Sequence, residues 1–88
     1  MPDLSGNIPE HVFYGSISSE LLRIARATLR YEDFIPRCQE LILRMIKQGA
    51  MANKILKTFD MMHDNHIEAF VSFNKPTSAI KHDFYKHL

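Results

Sequence analysis

Apolar side chains recur at helical spacing along most of the chain, and no stretch alternates as a strand would. The first helical stretch has apolar residues at positions 17, 21, 24, 25 and 29. That spacing places them on one face and predicts a helix over about residues 17–30. Ser16, or Ser18 or Ser19 one turn later, supplies the N-cap. Glu20 lies early in the helix, where its negative charge interacts favourably with the positive end of the helix dipole.

The second stretch has the strongest helical pattern, because two neighbouring apolar stripes widen one face. These stripes are Phe34, Cys38, Leu41 and Met45, with Ile35, Ile42 and Ile46 beside them. Pro36 falls in the first turn of the predicted helix, where a missing N–H is tolerated. Gly49 lies where a left-handed residue ends a helix. We predict a helix from Tyr31 to the residues just before Gly49.

A third amphipathic stretch begins at Ala50 or Asn53 and predicts another helix. Its apolar face consists of Ile55, Leu56, Phe59 and Met62. Residues 63–66 are weak in helix propensity and predict a break, followed by a short apolar segment up to Phe73. The alternative is a third helix that runs unbroken through His63 to Phe73. After Pro76, Thr77 or Ser78 is expected to cap a last short helix.

Together these elements predict an all-α fold class, a small three- to four-helix bundle with a helix-turn-helix-like core. That core consists of the second and third helices, since a glycine such as Gly49 permits the sharp turn of such motifs. Residues 1–15 carry Pro2 and Pro9 with few apolar positions, so we expect an extended N-terminal arm there. Residues 16–75 then form the helical domain, and residues 76–88 form a C-terminal tail with a possible short helix.

The length and composition fit one folded domain with a basic middle. The 88 residues are 45% hydrophobic and 24% charged, which is ordinary globular usage, and the net charge is +1. Residues 1–15 contain two acids and no Lys or Arg, whereas residues 16–57 contain eight Lys and Arg against four acids. Residues 58–88 contain three Lys against four acids. Positive charge is therefore concentrated in the predicted helices.

Three arginines of the first predicted helix share one face, because Arg23, Arg26 and Arg30 are three and then four residues apart. With three lysines around the later turn they form the predicted nucleic-acid-binding site, whose members are Arg23, Arg26, Arg30, Lys47, Lys54 and Lys57. These side chains are expected to contact backbone phosphates. An equally good interpretation is a solvated helix face on which Arg26 or Arg30 pairs with Glu32 or Asp33.

No pattern in the chain indicates catalysis, so we expect a protein that is not an enzyme and needs no cofactor. The sequence contains no nucleophile elbow, phosphate-binding loop, zinc-protease motif or dinucleotide fingerprint. Cys38, the one cysteine, lies on the apolar stripe of the second helix and is expected to be a small buried hydrophobe. His63 and His66 are three residues apart, but two imidazoles do not make a metal site, and none is predicted.

Membrane insertion and secretion are not expected. No apolar run exceeds four residues, and the first six residues lack the charged and apolar regions of a signal peptide. We therefore expect an intracellular protein, with the nucleus and the cytoplasm not distinguished. A core this small is not expected to bury every aromatic ring, so Phe70 and Phe73 are candidates for a patch that docks on a protein partner.

An ordered series of short motifs covers about three quarters of the chain, from Ile8 to about Lys75. The motifs are Pro9, Tyr14-Gly15, Ser19 to Thr28 as SELLRIARAT, Tyr31 to Phe34, Pro36-Arg37, Met45 to Gly49 as MIKQG, and the late Phe59, Phe70 and Phe73. In this order they resemble the helical tail that follows the reverse-transcriptase domain in many animal non-LTR-retrotransposon-like proteins. The motifs are short and apolar or basic, so the resemblance is moderately specific.

That resemblance implies an all-α, helix-turn-helix-like module beside a polymerase thumb, which helps to hold template RNA or a nucleic-acid hybrid. It also implies a fragment, a truncated element copy or a small derived protein, because the chain has no polymerase aspartate motif. The leading hypothesis is a non-catalytic accessory module that binds RNA, DNA or an RNA–DNA hybrid. The alternative is a helical docking or dimerisation module, which contacts a polymerase domain or another protein through Phe70 and Phe73.

Overall fold

The computed structural model describes residues 9–86, and these residues form an all-α bundle without strands, as predicted. The four helices are α1 (Glu10–Ala27), α2 (Tyr31–Lys47), α3 (Ala52–Asn65) and α4 (Thr77–Phe84). Two 3₁₀ turns, Ile67–Ala69 and Val71–Phe73, connect α3 to α4. The third helix therefore ends at Asn65, close to the predicted break, and the alternative of one unbroken helix through Phe73 is wrong.

The turn after α2 is the one that its glycine predicts. Gly49 has φ +104°, and its N–H donates to the carbonyl of Ile46 at 3.0 Å. The N–H of Ala50 donates back to the carbonyl of Met45 at 2.9 Å, which completes a Schellman motif. The next amide, that of Met51, donates to the hydroxyl of Tyr14 on α1 at 2.9 Å. The turn between α2 and α3 is thus fixed both by its own hydrogen bonds and by α1.

Helix α1 runs beside α3 in the same direction. Near the start of both helices, the Lys54 ammonium lies 2.6 Å from the Glu10 carboxylate. Near their other ends, Arg26 of α1 lies 3.6 Å from Glu68, just beyond α3. Helices α2 and α3 do follow one another around a glycine turn, but α1 packs against both of them and shares its largest contact with α3. The segment from α2 through the glycine turn to α3 is therefore packed against a third helix, α1.

A cluster of five phenylalanine rings forms the centre of the core. Phe34, Phe59, Phe70, Phe73 and Phe84 are all buried, and adjacent ring centroids lie 4.8 to 6.1 Å apart. Rings at these separations stabilise the fold by more than the burial of their surface area alone. Phe70 and Phe73 are only 3% and 5% exposed, so the prediction that they form a docking patch is wrong. The small core does bury them, because the 3₁₀ turns and α4 close over it.

Helix α4 belongs to the core and is not a tail, which corrects the boundary predicted at residue 76. Ile80 and Phe84 are fully buried against the rest of the bundle. Gln39 of α2 donates to the carbonyl of Asp83 at 2.8 Å, and Lys81 lies 2.7 Å from Asp60 of α3. The predicted short helix is present, and it is bound to both α2 and α3. Residues 87–88 of the predicted tail lie outside the described residues.

Helix α1 begins earlier and ends earlier than predicted. It starts at Glu10, directly after Pro9, so the predicted extended arm is wrong for residues 10–15, while residues 1–8 lie outside the described part of the chain. Phe13 and Tyr14 pack against the core and extend the apolar face by a turn, which outweighs the helix-weakening Gly15. At the other end, Thr28 is extended, and its hydroxyl donates to the carbonyl of Ile24.

We expect Gly15→Ala to stabilise the protein by up to about 1 kcal/mol, because Gly15 lies inside α1 and a Cβ there meets no atom within 4 Å. Gly49→Ala is the matched control and should destabilise it, since residue 49 has φ +104°. Urea unfolding of both variants measures the two changes. Destabilisation by Gly15→Ala would show that residue 15 is not in a helix.

Alkaline pH should weaken the fold through Tyr31. Burial and the hydrogen bond from Tyr31 to Asp83 hold the pKa of its hydroxyl far above the usual value near 10. The unfolded chain loses this proton above about pH 10 while the folded chain keeps it, so the stabilisation is complete below that pH and declines above it. Tyr31→Phe should make the decline in unfolding free energy from about pH 10 upward shallower. An identical pH dependence in the two proteins would contradict this assignment.

Candidate functional site

Four of the six predicted phosphate-binding side chains lie beside a carboxylate. The pairs are Arg23–Glu20 at 2.6 Å, Arg26–Glu68 at 3.6 Å, Arg30–Glu32 at 3.4 Å and Lys54–Glu10 at 2.6 Å. The hydrogen bond to Glu10 raises the pKa of Lys54. The pairing of Arg30 with Glu32 is the one expected for a solvated helix face, whereas Arg26 pairs with Glu68 of the 3₁₀ segment.

The predicted row of three arginines on the first helix is not present. Arg23 and Arg26 lie on α1, but the helix ends at Ala27, and Arg30 is the extended residue that precedes α2, with φ −111° and ψ 137°. The three-and-four spacing therefore no longer places Arg30 in line with the other two. The cause is Thr28, whose extended backbone ends α1 before the predicted limit.

The paired cations keep contact with solvent. The side chains of Arg23, Arg26 and Arg30 are 74%, 59% and 75% exposed. Ion pairs this exposed contribute between about 0 and 1 kcal/mol, so a phosphate can compete for these guanidinium groups. Each neighbouring carboxylate nevertheless lowers the local positive potential. The α1 arginines are therefore weaker anion contacts than their spacing in the sequence suggested.

Lys47 and Lys57, the two remaining predicted residues, are exposed and have no carboxylate within 4.0 Å among residues 9–86. Lys57 lies on α3, and Lys47 is the last residue of α2. The structure thus distributes the six predicted residues over all three long helices and the α1–α2 connection. Among the six, only Lys47 lines the groove between α1 and α2.

That groove, the α1–α2 groove, has a volume of about 550 Å³ and lies between α1 and α2. Ile24 of α1 lines it together with six residues of α2, which are Arg37, Glu40, Leu41, Leu43, Arg44 and Lys47. The charged members of α2 recur at intervals of three, four and three residues, which places them along one helical face. At the helical rise, the row from the first to the last of them spans about 15 Å.

Arg37 and Arg44 carry the positive charge of this row with Lys47, and neither arginine is among the residues predicted from the sequence. All three cations are exposed, and no carboxylate lies within 4.0 Å of any of them in the described part of the chain. The signal was present, because Arg37, Arg44 and Lys47 are seven and then three residues apart on the helix with the clearest boundaries.

The side chains of the α1–α2 groove are suited to binding an anion. Two guanidinium groups and one ammonium offer only hydrogen-bond donors and positive charge, with Glu40 as the single carboxylate. Ile24, Leu41 and Leu43 supply an aliphatic wall. Glu20, one turn before Ile24 on α1, forms an ion pair with Arg23.

The histidines and the cysteine do not form a second polar site. No three His, Cys, Asp or Glu side chains lie close enough to hold a metal ion within residues 9–86. His63 packs between Phe59 and Phe70, with ring centroids 5.8 and 4.7 Å away. Cys38 is fully buried, as expected, and burial raises the pKa of its thiol. No helix in this part of the chain is long and apolar enough to cross a membrane.

Comparison of the chain with protein-family models, with curated proteins and with solved structures finds no match. The shape of the α1–α2 groove and the charges that line it are therefore the observations that bear on function.

Proposed function

We propose that this chain is a non-catalytic nucleic-acid-binding module that contacts backbone phosphates in the α1–α2 groove. The observation that carries the proposal is the row of Arg37, Arg44 and Lys47, three exposed cations on one helical face with no carboxylate within 4.0 Å among the described residues. Cations that have no internal partner bind phosphates without first breaking an ion pair.

The length of the row favours a polymer over a single phosphate. Exposed cations spread over about 15 Å of helix cannot all converge on one small anion. A nucleic-acid strand offers phosphates at regular intervals, and each contact releases condensed counterions, which supplies much of the binding free energy. Arg23 and Arg26 on α1, although paired with Glu20 and Glu68, remain exposed and can add outer contacts.

Little recognition of base sequence is expected from this groove. Its wall is aliphatic, and no aromatic ring is among its lining residues, so it has no platform on which bases could stack. Contacts to phosphate position a protein on nucleic acid without selecting a sequence. We therefore expect RNA, DNA or a hybrid of any sequence to bind with similar affinity within each class.

The resemblance of residues 8–75 to the tail of retroelement reverse transcriptases supports the same class of ligand. A module of that kind would hold nucleic acid beside a polymerase domain supplied by another part of a longer protein or by a partner. Any such partner must dock elsewhere than on Phe70 and Phe73, which the core buries. An intracellular location, in the nucleus or the cytoplasm, is part of this proposal.

A second candidate is docking of an acidic amphipathic helix in the same groove. Leu43 and Ile46 of α2 are 45% and 38% exposed, and Ile24 and Leu41 continue the apolar wall inside the groove. An apolar groove beside a row of cations fits a helix that has leucine-type residues on one face and carboxylates beside them. This candidate ranks second because Leu41 is buried and Ile24 is only partly exposed, so Leu43 is the one exposed apolar side chain among the described lining residues.

Arg44→Ala should weaken binding to duplex nucleic acid and make its salt dependence shallower. The slope of log K against log salt is about −0.9 per phosphate contact for duplex DNA, so losing one contact should flatten it by about one. Arg23→Ala is the matched control, because it removes an arginine that is paired with Glu20 at 2.6 Å, and it should flatten the slope by less. Fluorescence anisotropy at several salt concentrations measures both slopes.

Two results would contradict the proposal. The first is the absence of binding at low salt by a chain whose circular dichroism shows that it is folded. The second is a slope that Arg23→Ala flattens and Arg44→Ala leaves unchanged, since the phosphates would then lie on α1. Should no nucleic acid bind, a titration with an acidic amphipathic peptide tests the second candidate directly.

A further inference from the structure

A carboxylate lies in the middle of the cation row of the α1–α2 groove. Glu40 follows Arg37 by three residues and precedes Arg44 by four, so all three share one face of α2. Glu40 is exposed, and neither guanidinium lies within 4.0 Å of its carboxylate. Within residues 9–86 it is therefore an unpaired anion in a groove whose other charges are positive.

A carboxylate at this position weakens the binding of a ligand that presents only phosphates to the groove. An ionised carboxylate accepts hydrogen bonds and donates none, so it repels a phosphate and offers it nothing in return. It becomes favourable when the ligand carries a hydroxyl donor close to its phosphates. In nucleic acids that donor is the ribose 2′-hydroxyl, which RNA has and DNA lacks. Carboxylates accept hydrogen bonds from ribose hydroxyls in the same way in dinucleotide-binding folds.

We infer that Glu40 accepts a hydrogen bond from a ribose 2′-hydroxyl and so makes the α1–α2 groove selective for a strand with 2′-hydroxyl groups. This inference rests on the proposed binding of phosphates by Arg37 and Arg44. Side chains three or four residues apart on a helix have Cβ atoms about 5–6 Å apart, a separation that a single nucleotide spans between its phosphate and its ribose. A phosphate on either arginine thus brings a ribose to Glu40.

The test compares two ligands of the same shape. RNA duplexes and 2′-fluoro-substituted RNA duplexes of one sequence both adopt the A form, but only the first has the 2′-hydroxyl donor. The wild-type chain should bind RNA about fivefold to tenfold more tightly than the 2′-fluoro duplex, which lies within the range for one net hydrogen bond in contact with solvent. Anisotropy titrations at one salt concentration measure this ratio.

Two variants of Glu40 separate hydrogen bonding from charge. Glu40→Ala removes both the acceptor and the repulsion, so RNA should bind less tightly than it binds the wild type, the 2′-fluoro duplex should bind more tightly, and the two affinities should become equal. Glu40→Gln also removes the repulsion but keeps an acceptor oxygen, so both duplexes should bind more tightly while RNA keeps its preference. Because Glu40 is exposed, both variants should fold as the wild type does, which urea unfolding checks.

Several results would overturn the role of Glu40. They are equal wild-type affinities for the two duplexes, an RNA preference that survives in Glu40→Ala, and identical effects of Glu40→Ala and Glu40→Gln on the ratio. If binding still weakens with salt through Arg44, only the role of Glu40 fails. If neither duplex shows a salt dependence that Arg44→Ala flattens, the proposed function itself fails.

Discussion

The buried ring of Phe34 on α2 contacts three other aromatic rings that come from two later segments of the chain. Its centroid lies 5.9 Å from that of Phe70, 4.8 Å from Phe73 and 6.1 Å from Phe84. The first two rings belong to the connection after α3, and the third belongs to α4. These contacts hold both segments on one side of α2. Without Phe34 the 3₁₀ turns and α4 would lose these aromatic contacts with α2, while Phe70 and Phe84 would keep their contacts with Phe59 of α3.

Because the aromatic core covers one side of α2, the charged side of the same helix is left to solvent. The residues that pack inward and those that line the α1–α2 groove alternate at helical spacing, so the position of Phe34 also determines where Arg37 and Arg44 point. A short helix cannot turn its cations inward without exposing its apolar face. The core therefore fixes the backbone positions of the cation row and keeps its charges on one face of the bundle.

Single residues with a marked backbone preference predicted the features that depend on local structure, such as helix ends. The end of α2 follows from Gly49, which takes the left-handed conformation that a helix end favours. Gly15 is a similar signal but was misleading, because packing of Phe13 on the core keeps that segment helical. The burial of Phe73 and the pairing of Arg26 with Glu68 depend on how distant segments fold together, which periodicity does not reveal. The spacing of the cation row could be predicted from the sequence, but its lack of acidic partners among residues 9–86 could not.

A titration of the ¹⁵N-labelled chain with duplex nucleic acid, followed by amide chemical shifts, shows directly which surface of the bundle binds the ligand. Binding in the α1–α2 groove predicts that the largest shift changes cluster on the exposed side of α2, at Arg37, Glu40, Arg44 and Lys47. Amides of the buried aromatic core should change little. Changes centred on α1 at Arg23, or spread evenly over the basic residues, would contradict the central claim that the cation row of α2 is the binding surface.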